Sequence, residues 1–295
     1  MTYLAIPKPR PQLPPLNVGE RRLGFGDRVH LMGVVNVTPD SFSDGGEFFD
    51  THAAVEQALE LHRAGANILD VGGESTRPGA DPVEAADEID RVVPVIDAIS
   101  RRCDAWISVD TYKADVAKAA LDAGAHLVND ISGLGFDDDM AQLVARRECG
   151  LVLMHIRNTP KTMQRDIAYD DVVDDLLRYF DERIQLATDA GVDPERIIVD
   201  PGIGFGKTVE HNYRLLRELN RFTALGRPLL VGTSRKSFIG AVIDEPPERR
   251  LWGTAATVAC SIFAGADIVR VHDVRQMVDV VRVTEALCGM GSERG

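Results

Sequence analysis

Cysteine is scarce and scattered. Cys103, Cys149, Cys260 and Cys288 form no C-x-x-C pair, which speaks against a zinc site or dithiol redox motif and leaves reduced, structural thiols as the expectation. Long apolar runs are missing too, since no stretch approaches the roughly 20 residues a membrane-spanning helix needs. The opening MTYLAIPKPRPQLPPLNVGERR has no apolar signal-peptide core and its prolines suit an extended arm, so a cytoplasmic protein is expected. Positive charge is in deficit: 33 Lys and Arg face 46 Asp and Glu, a formal net charge of -13. That balance, with a pI near 5.0, excludes a surface built for nucleic acid or anionic membrane, whose phosphates demand clustered basic side chains. Small anions remain open as substrates, because a local basic pocket suffices for them. No Ser-His-Asp set, activated cysteine or close carboxylate pair stands out as a nucleophile or acid–base device.

What is present is enough apolar residue, 44% of 295, to bury a sizeable core. Short β-branched runs at 31–35, 67–71, 106–109, 126–128, 151–154, 196–199, 228–231 and 267–271 read as strands. Between them, stretches such as 53–64, 114–123 and 172–190 carry apolar residues at three- and four-residue spacing, as amphipathic helices do. Several end in Ala-Gly-Ala or Ala-Gly-Val, where glycine suits the left-handed closing position. Alternation of this kind fits either an open doubly wound sheet or a closed (β/α)8 barrel. The distribution of chemistry favours the barrel. Nearly every strand ends in a polar residue: Asn36, Asp70 followed by Glu74, Asp110, Asn129, His155, Asp200, the 234–237 run, and Arg270 with His272. An open sheet gathers function at one switch point, whereas a barrel collects it from most strand ends. The expected organisation is an N-terminal arm and leading hairpin over 1–28 and one α/β TIM-barrel domain over 29–290. The segment 156–169 is a long connection without clear period, of the sort that often serves function.

The strand ends carry motifs: NVTPDSFSDGG at 36–46, GGESTRPGA at 72–80, SVDTYKADV at 108–116, VNDISG at 128–133, LMHIRNTPKTMQ at 153–164, DPGIGFGK at 200–207, GTSRKSFIG at 232–240 and RVHDV at 270–274. Together, in this order, they resemble the dihydropteroate synthases along almost the whole chain past the arm. The resemblance implies a magnesium-assisted transferase of folate biosynthesis, which joins p-aminobenzoate to 6-hydroxymethyl-7,8-dihydropterin pyrophosphate and releases pyrophosphate. It further implies a homodimer and a sulfonamide target.

A pterin edge offers ring N–H and amino donors beside a carbonyl, so its site needs carboxylates or amides to accept and a cation to donate. Asp110, Asn129, Asp200 and Lys236 match the family's pterin positions. Arg270 and His272, at alternate positions of the last strand, match its pyrophosphate residues. Asn36 corresponds to the residue near magnesium. The resemblance sets p-aminobenzoate beside Thr76, Pro78 and Ser237, with Arg77 on the same loop nearer the pyrophosphate. DPGIGFGK fits neither G-x-G-x-x-G nor a P-loop and reads as a tight turn, with Lys207 a second cation. His155 is expected to be structural.

The expected mechanism is dissociative. Arg270 and His272, with magnesium, draw off pyrophosphate, Asp110 and Asp200 stabilise a cationic pterin, and Asp40 adds negative charge near the methylene, with Arg77 and Lys236 completing the catalytic set. The family's fifth-strand motif continues as Met, then Gln, Lys or Arg, then Gly; here it reads Ile156-Arg157-Asn158, which reduces backbone freedom and bears on loop shape. Two rivals share the pterin residues. A pterin-dependent methyltransferase barrel would not need STRPGA, SRKS and RVHD together, and a non-catalytic pterin-binding paralogue would not need Arg77, Lys236, Arg270 and His272 intact.

Overall fold

A hairpin of β1 (Leu16–Val18) and β2 (Arg21–Leu23) precedes the main sheet, turning at Gly19, whose φ of +56° lies in the left-handed region. The computed structural model describes residues 13–38 and 47–291; residues 1–12 of the expected N-terminal segment lie outside them. Eight parallel strands follow: β3 (His30–Asn36), β4 (Ile68–Gly72), β5 (Trp106–Asp110), β6 (Leu127–Asp130), β7 (Gly150–Met154), β8 (Ile197–Asp200), β9 (Leu230–Val231) and β10 (Ile268–Val271). Each expected strand is there with ends shifted by no more than two residues. Their order, β8-β7-β6-β5-β4-β3-β10-β9, is closed by a parallel bridge from Val199 to Leu229, so the sheet is a barrel and not an open layer.

Helices α1 (Glu47–Arg63), α2 (Ala85–Ser100), α3 (Ala114–Asp122), α4 (Met140–Arg147), α5 (Val172–Asp189), α6 (Val209–Arg217), α7 (Ser237–Ile243), α8 (Leu251–Phe263) and α9 (Val274–Leu287) lie along the chain between and after these strands. Local chemistry starts several of them. Asp171 accepts from the Val173 and Asp174 amides to cap α5, and Thr208 with His211 forms a capping box on α6.

Strands flanked by helices outside and side chains inside are buried on both faces, which is why they read as continuous apolar runs. Inside the barrel, Met32, Ile68, Trp106, Leu127, Val152, Ile198, Leu230 and Ile268 form one cluster, closed from the N-terminal end by Leu16, Leu23 and Phe25 of the leading hairpin segment. Two residues further along the same strands, about 6.6 Å towards the C-terminal end, stand Asp70, Ser108, Asn129, Asp200 and Arg270. The period of two thus turns an apolar floor into a polar layer at the mouth.

Candidate functional site

Arg270 sits at the centre of that layer. Its Nε donates to Asp70 Oδ2 at 2.6 Å and its Nη2 to Asp110 Oδ2 at 2.7 Å, while the amide of Asn129 also donates to Asp70 Oδ2 at 3.1 Å. Sequence spacing showed no close carboxylate pair; closure of the barrel makes one, with a single guanidinium between its members. Burial pushes the Asp110 carboxyl up, Arg270 pulls it down and the neighbouring Asp70 pushes it up again, and the net shift is upward. Burial works against the charge on Arg270, but Asp70 and Asp110 outweigh it and hold the guanidinium protonated. The second oxygens of Asp70 and Asp110, and Asn129 Oδ1, are buried with no partner among the described residues. Three acceptors without donors at one barrel mouth are costly unless a ligand brings the donors.

Opposite them, Asp200 at the end of β8 accepts from the Gly202 amide at 2.7 Å and is raised above the ordinary carboxylate range by burial. The turn that follows needs its glycines: Gly202 has φ +64°, and a Cβ there would fall 2.0 Å from the His155 carbonyl oxygen. Lys236, half-buried, donates to the Ile203 carbonyl and lies 4.6 Å from the centre of the Phe205 ring. Burial lowers its ammonium to about 8, with Asp200 resisting. Lys207 is not the second cation of this site. It is buried, with its ammonium on His155 Nδ1 at 2.9 Å and on the His155 and Phe205 carbonyls. Its three donors are consumed in joining the ends of β7 and β8, and His155 packs edge-on to Tyr179 at 4.8 Å, a structural pair as expected for the imidazole.

His272 and its partners stand on the loops after β9 and β10. The His272 amide and Nδ1 both meet Ser234 Oγ, at 3.2 and 3.0 Å. The hydroxyl accepts from the amide, and it shares a second hydrogen bond with Nδ1 whose direction depends on the imidazole tautomer. Burial, then the charges of Arg270 and Arg235, push the imidazole down to about 4, which favours its neutral form in this site. Arg77, exposed on its loop, adds slightly to the same depression. Arg235 adopts φ +60° and clamps Asp273 through Nε at 3.0 Å and Nη2 at 2.5 Å, fixing the two loops to each other. Thr76 is half-buried, and Pro78 and Ser237 are exposed. Asn36 is half-buried at the end of β3, and Asp40 lies outside the described residues.

Two loops meet across this mouth. Glu74 anchors the first, accepting from Tyr112 Oη at 2.8 Å, the Val83 amide at 3.0 Å and Lys113 at 2.5 Å. The Gly79 amide then donates to the Pro160 carbonyl at 3.1 Å, and Lys161 pairs with Asp81 at 2.5 Å, joining it to the 156–169 connection. The departure at Ile156-Arg157-Asn158 is accommodated. Asn158 takes φ +61°, the left-handed conformation that glycine adopts freely and asparagine tolerates best among other residues. Arg157 stacks 5.2 Å from the Tyr169 ring, whose hydroxyl donates to the Gly206 carbonyl at 2.9 Å. Asn158→Val should therefore lose about 1–2 kcal/mol of stability, whereas Asn158→Gly should stay within about 1 kcal/mol of the parent; urea midpoints read both.

The site thus brings Asp110, Asn129, Asp200, Lys236 and Arg270 together, with His272 held against Ser234 on the adjoining loops. Asp70, Ser234 and Arg235 received no task from motif reading. Asp70 had a signal, since it stands two residues after Ile68 and must share its inward face. A family model for pterin-binding enzymes matches residues 32–272. A dihydropteroate synthase of Synechocystis is 49% identical over 275 residues, 93% of this chain and 95% of that one. Among solved structures, the Yersinia pestis dihydropteroate synthase with a sulfonamide drug superposes with a TM-score of 0.87 at 42% identity, covering 92% of this chain and 98% of that one. The Xanthomonas albilineans enzyme in complex with 7,8-dihydropteroate gives 0.83 at 40% identity, covering 93% and 98%. The order of motifs, the closed barrel with its polar mouth and these similarities agree: the chain belongs to the dihydropteroate synthases, within the pterin-binding enzymes.

Proposed function

We propose that this chain condenses 6-hydroxymethyl-7,8-dihydropterin pyrophosphate with p-aminobenzoate, forming 7,8-dihydropteroate and pyrophosphate. The buried, unpartnered acceptors Asp110 Oδ1 and Asn129 Oδ1 carry this reading. Beside Asp200 and the Lys236 ammonium they complement a flat heterocycle whose edge presents several N–H donors and one carbonyl. Arg270, His272 and Arg77 receive the pyrophosphate, and Thr76, Pro78 and Ser237 line the approach of the arylamine. The bond between the pterin methylene and pyrophosphate oxygen breaks first, its electron pair leaving with pyrophosphate; the amine nitrogen then attacks the cationic methylene, and the resulting ammonium loses its extra proton to solvent. The chain supplies charge in place for that step: carboxylates beside the pterin, a guanidinium and an N–H donor beside the leaving group. Asp40 and Arg77 belong to this proposal as loop contributions.

Magnesium fits as a substrate-borne ion. No group of three His, Cys, Asp or Glu side chains suited to a metal occurs among the described residues, and magnesium readily keeps waters and phosphate oxygens as ligands. The half-buried amide of Asn36 would supply one neutral oxygen, and the bound ion would neutralise charge on the leaving pyrophosphate. No helix among the described residues is long and apolar enough to cross a membrane; the proposed location is the cytoplasm. A homodimer is supported by exposed apolar side chains on adjoining helices, Trp252 at 80% and Val242 at 67% exposure, and sedimentation tests it. Sulfonamide binding is proposed from the Yersinia pestis complex.

The testing experiment is pyrophosphate release with and without p-aminobenzoate: release that depends on the amine is expected, and amine-independent or absent release overturns the reading. A pH profile adds a second check. Lys236 must be cationic to donate to the pterin carbonyl, and its ammonium is held at about 8, so kcat/KM for the pterin substrate should fall as pH rises above that value. Lys236→Arg, which does not titrate there, should remove that alkaline limb while lowering the plateau.

A further inference from the structure

Asp70 is fully buried on β4 and its two oxygens behave differently. Oδ2 accepts from Arg270 Nε at 2.6 Å and from Asn129 Nδ2 at 3.1 Å, while Oδ1 has no partner among the described residues. In the strand order β6-β5-β4-β3-β10, one oxygen therefore ties together strands two places away on either side. We propose that Asp70 is a positioning residue that sets the hydrogen-bonding polarity of the pterin site by fixing the amide of Asn129 and the plane of Arg270. This inference rests on the function proposed above.

The argument for Asn129 is one of valence. An amide can present either its oxygen or its NH2 to a ligand, and the two faces are nearly the same shape. A carboxylate only accepts, so the NH2 of Asn129 must turn to Asp70 and its oxygen must face the other way. Asn129 Oδ1 is indeed the buried atom left without a partner. The site then presents an acceptor where a pterin presents N–H groups; the opposite rotamer would set donor against donor. For Arg270 the argument is geometric. Asp70 takes Nε and Asp110 takes Nη2, so two carboxylates fix the guanidinium plane. The head group remains partly exposed, its side chain 21% accessible, and oriented before substrate arrives.

A purely structural Asp70 would act alike on every ligand and independently of its two neighbours. A positioning Asp70 acts through them. The test is a double-mutant cycle on binding of 6-hydroxymethyl-7,8-dihydropterin without its pyrophosphate, read by titration calorimetry. Asp70→Asn should weaken binding by about 30-fold in the wild-type background and by less than about 3-fold in an Asn129→Ala background, while KM for p-aminobenzoate stays within about 2-fold. Equal factors in both backgrounds, or an equal loss for the arylamine, overturn the proposal. Asp70→Glu, which keeps the charge but displaces the oxygens by one methylene, replaces Asp70→Asn in the same cycle if the latter does not fold. The cycle is read on pterin binding alone. Failure of amine-dependent pyrophosphate release by the wild type would sink the proposed function, whereas additive factors in an active enzyme would sink only the role of Asp70.

Discussion

Arg270→Met should cost about 3–5 kcal/mol of folding stability at pH 8 and lower kcat/KM by at least about 10²-fold, with much of the stability returning under mild acid. The stability loss arises because Arg270 is the shared partner of Asp70 and Asp110, and its removal leaves two buried carboxylates against each other. Asp110 is already raised by burial with Arg270 opposing the rise, so the variant raises it further. A carboxyl raised in the folded state binds its proton more tightly there than in the unfolded chain. Its stability contribution is therefore complete below the unfolded value of about 3.9 and is lost as pH rises through the folded value. Urea denaturation at pH 5 and pH 8 checks this: the gap to wild type should be much smaller at pH 5. A pyrophosphate arm free of structural duty would leave both midpoints unchanged and weaken the pyrophosphate-bearing substrate alone. The buried network instead predicts that affinity for the free pterin falls as well, because Asp110 and Asn129 lose their fixed frame.

That double duty was the part of the site the sequence concealed. Fold class was legible because strands covered on both faces read as unbroken apolar runs, and because period two places a polar residue two steps beyond an apolar one on the same inward face, as with Ile68 and Asp70 or Ile198 and Asp200. The motif residues came together for the same reason. What did not show was who pairs with whom across the barrel, since Arg270 and Asp70 are 200 positions apart and no spacing rule spans that distance. Lys207 illustrates the converse error: it stands one residue past a glycine turn and reads as a free cation, yet backbone carbonyls gathered by that turn capture its ammonium. Asn158 was legible only as a departure, and its left-handed backbone explains why the loop survives it.

Asp200→Asn should weaken binding of the free pterin by about 100-fold, since a donor then faces the ligand's donors in place of a charged acceptor. The same variant should be no less stable than wild type at neutral pH and more stable in alkali. Burial holds the Asp200 carboxyl above its ordinary range, so by the linkage above its ionised form is a burden that grows as pH rises through the folded value. Asparagine keeps the oxygen that accepts from the Gly202 amide at 2.7 Å and carries no charge to desolvate. A second consequence separates this account from simple loss of a contact. Asp200 is the main influence sustaining the Lys236 ammonium against burial, which even so brings it down to about 8. Without that carboxylate the ammonium titrates lower, and the alkaline limb of the residual pH profile should move towards neutrality. Asp200→Asn with an unmoved limb, or with a denaturation midpoint well below wild type at pH 9, would show that the carboxylate stabilises the fold rather than being held at a cost for binding. The expected result is the reverse: a buried charge retained because the pterin needs an acceptor there and Lys236 needs a counter-charge.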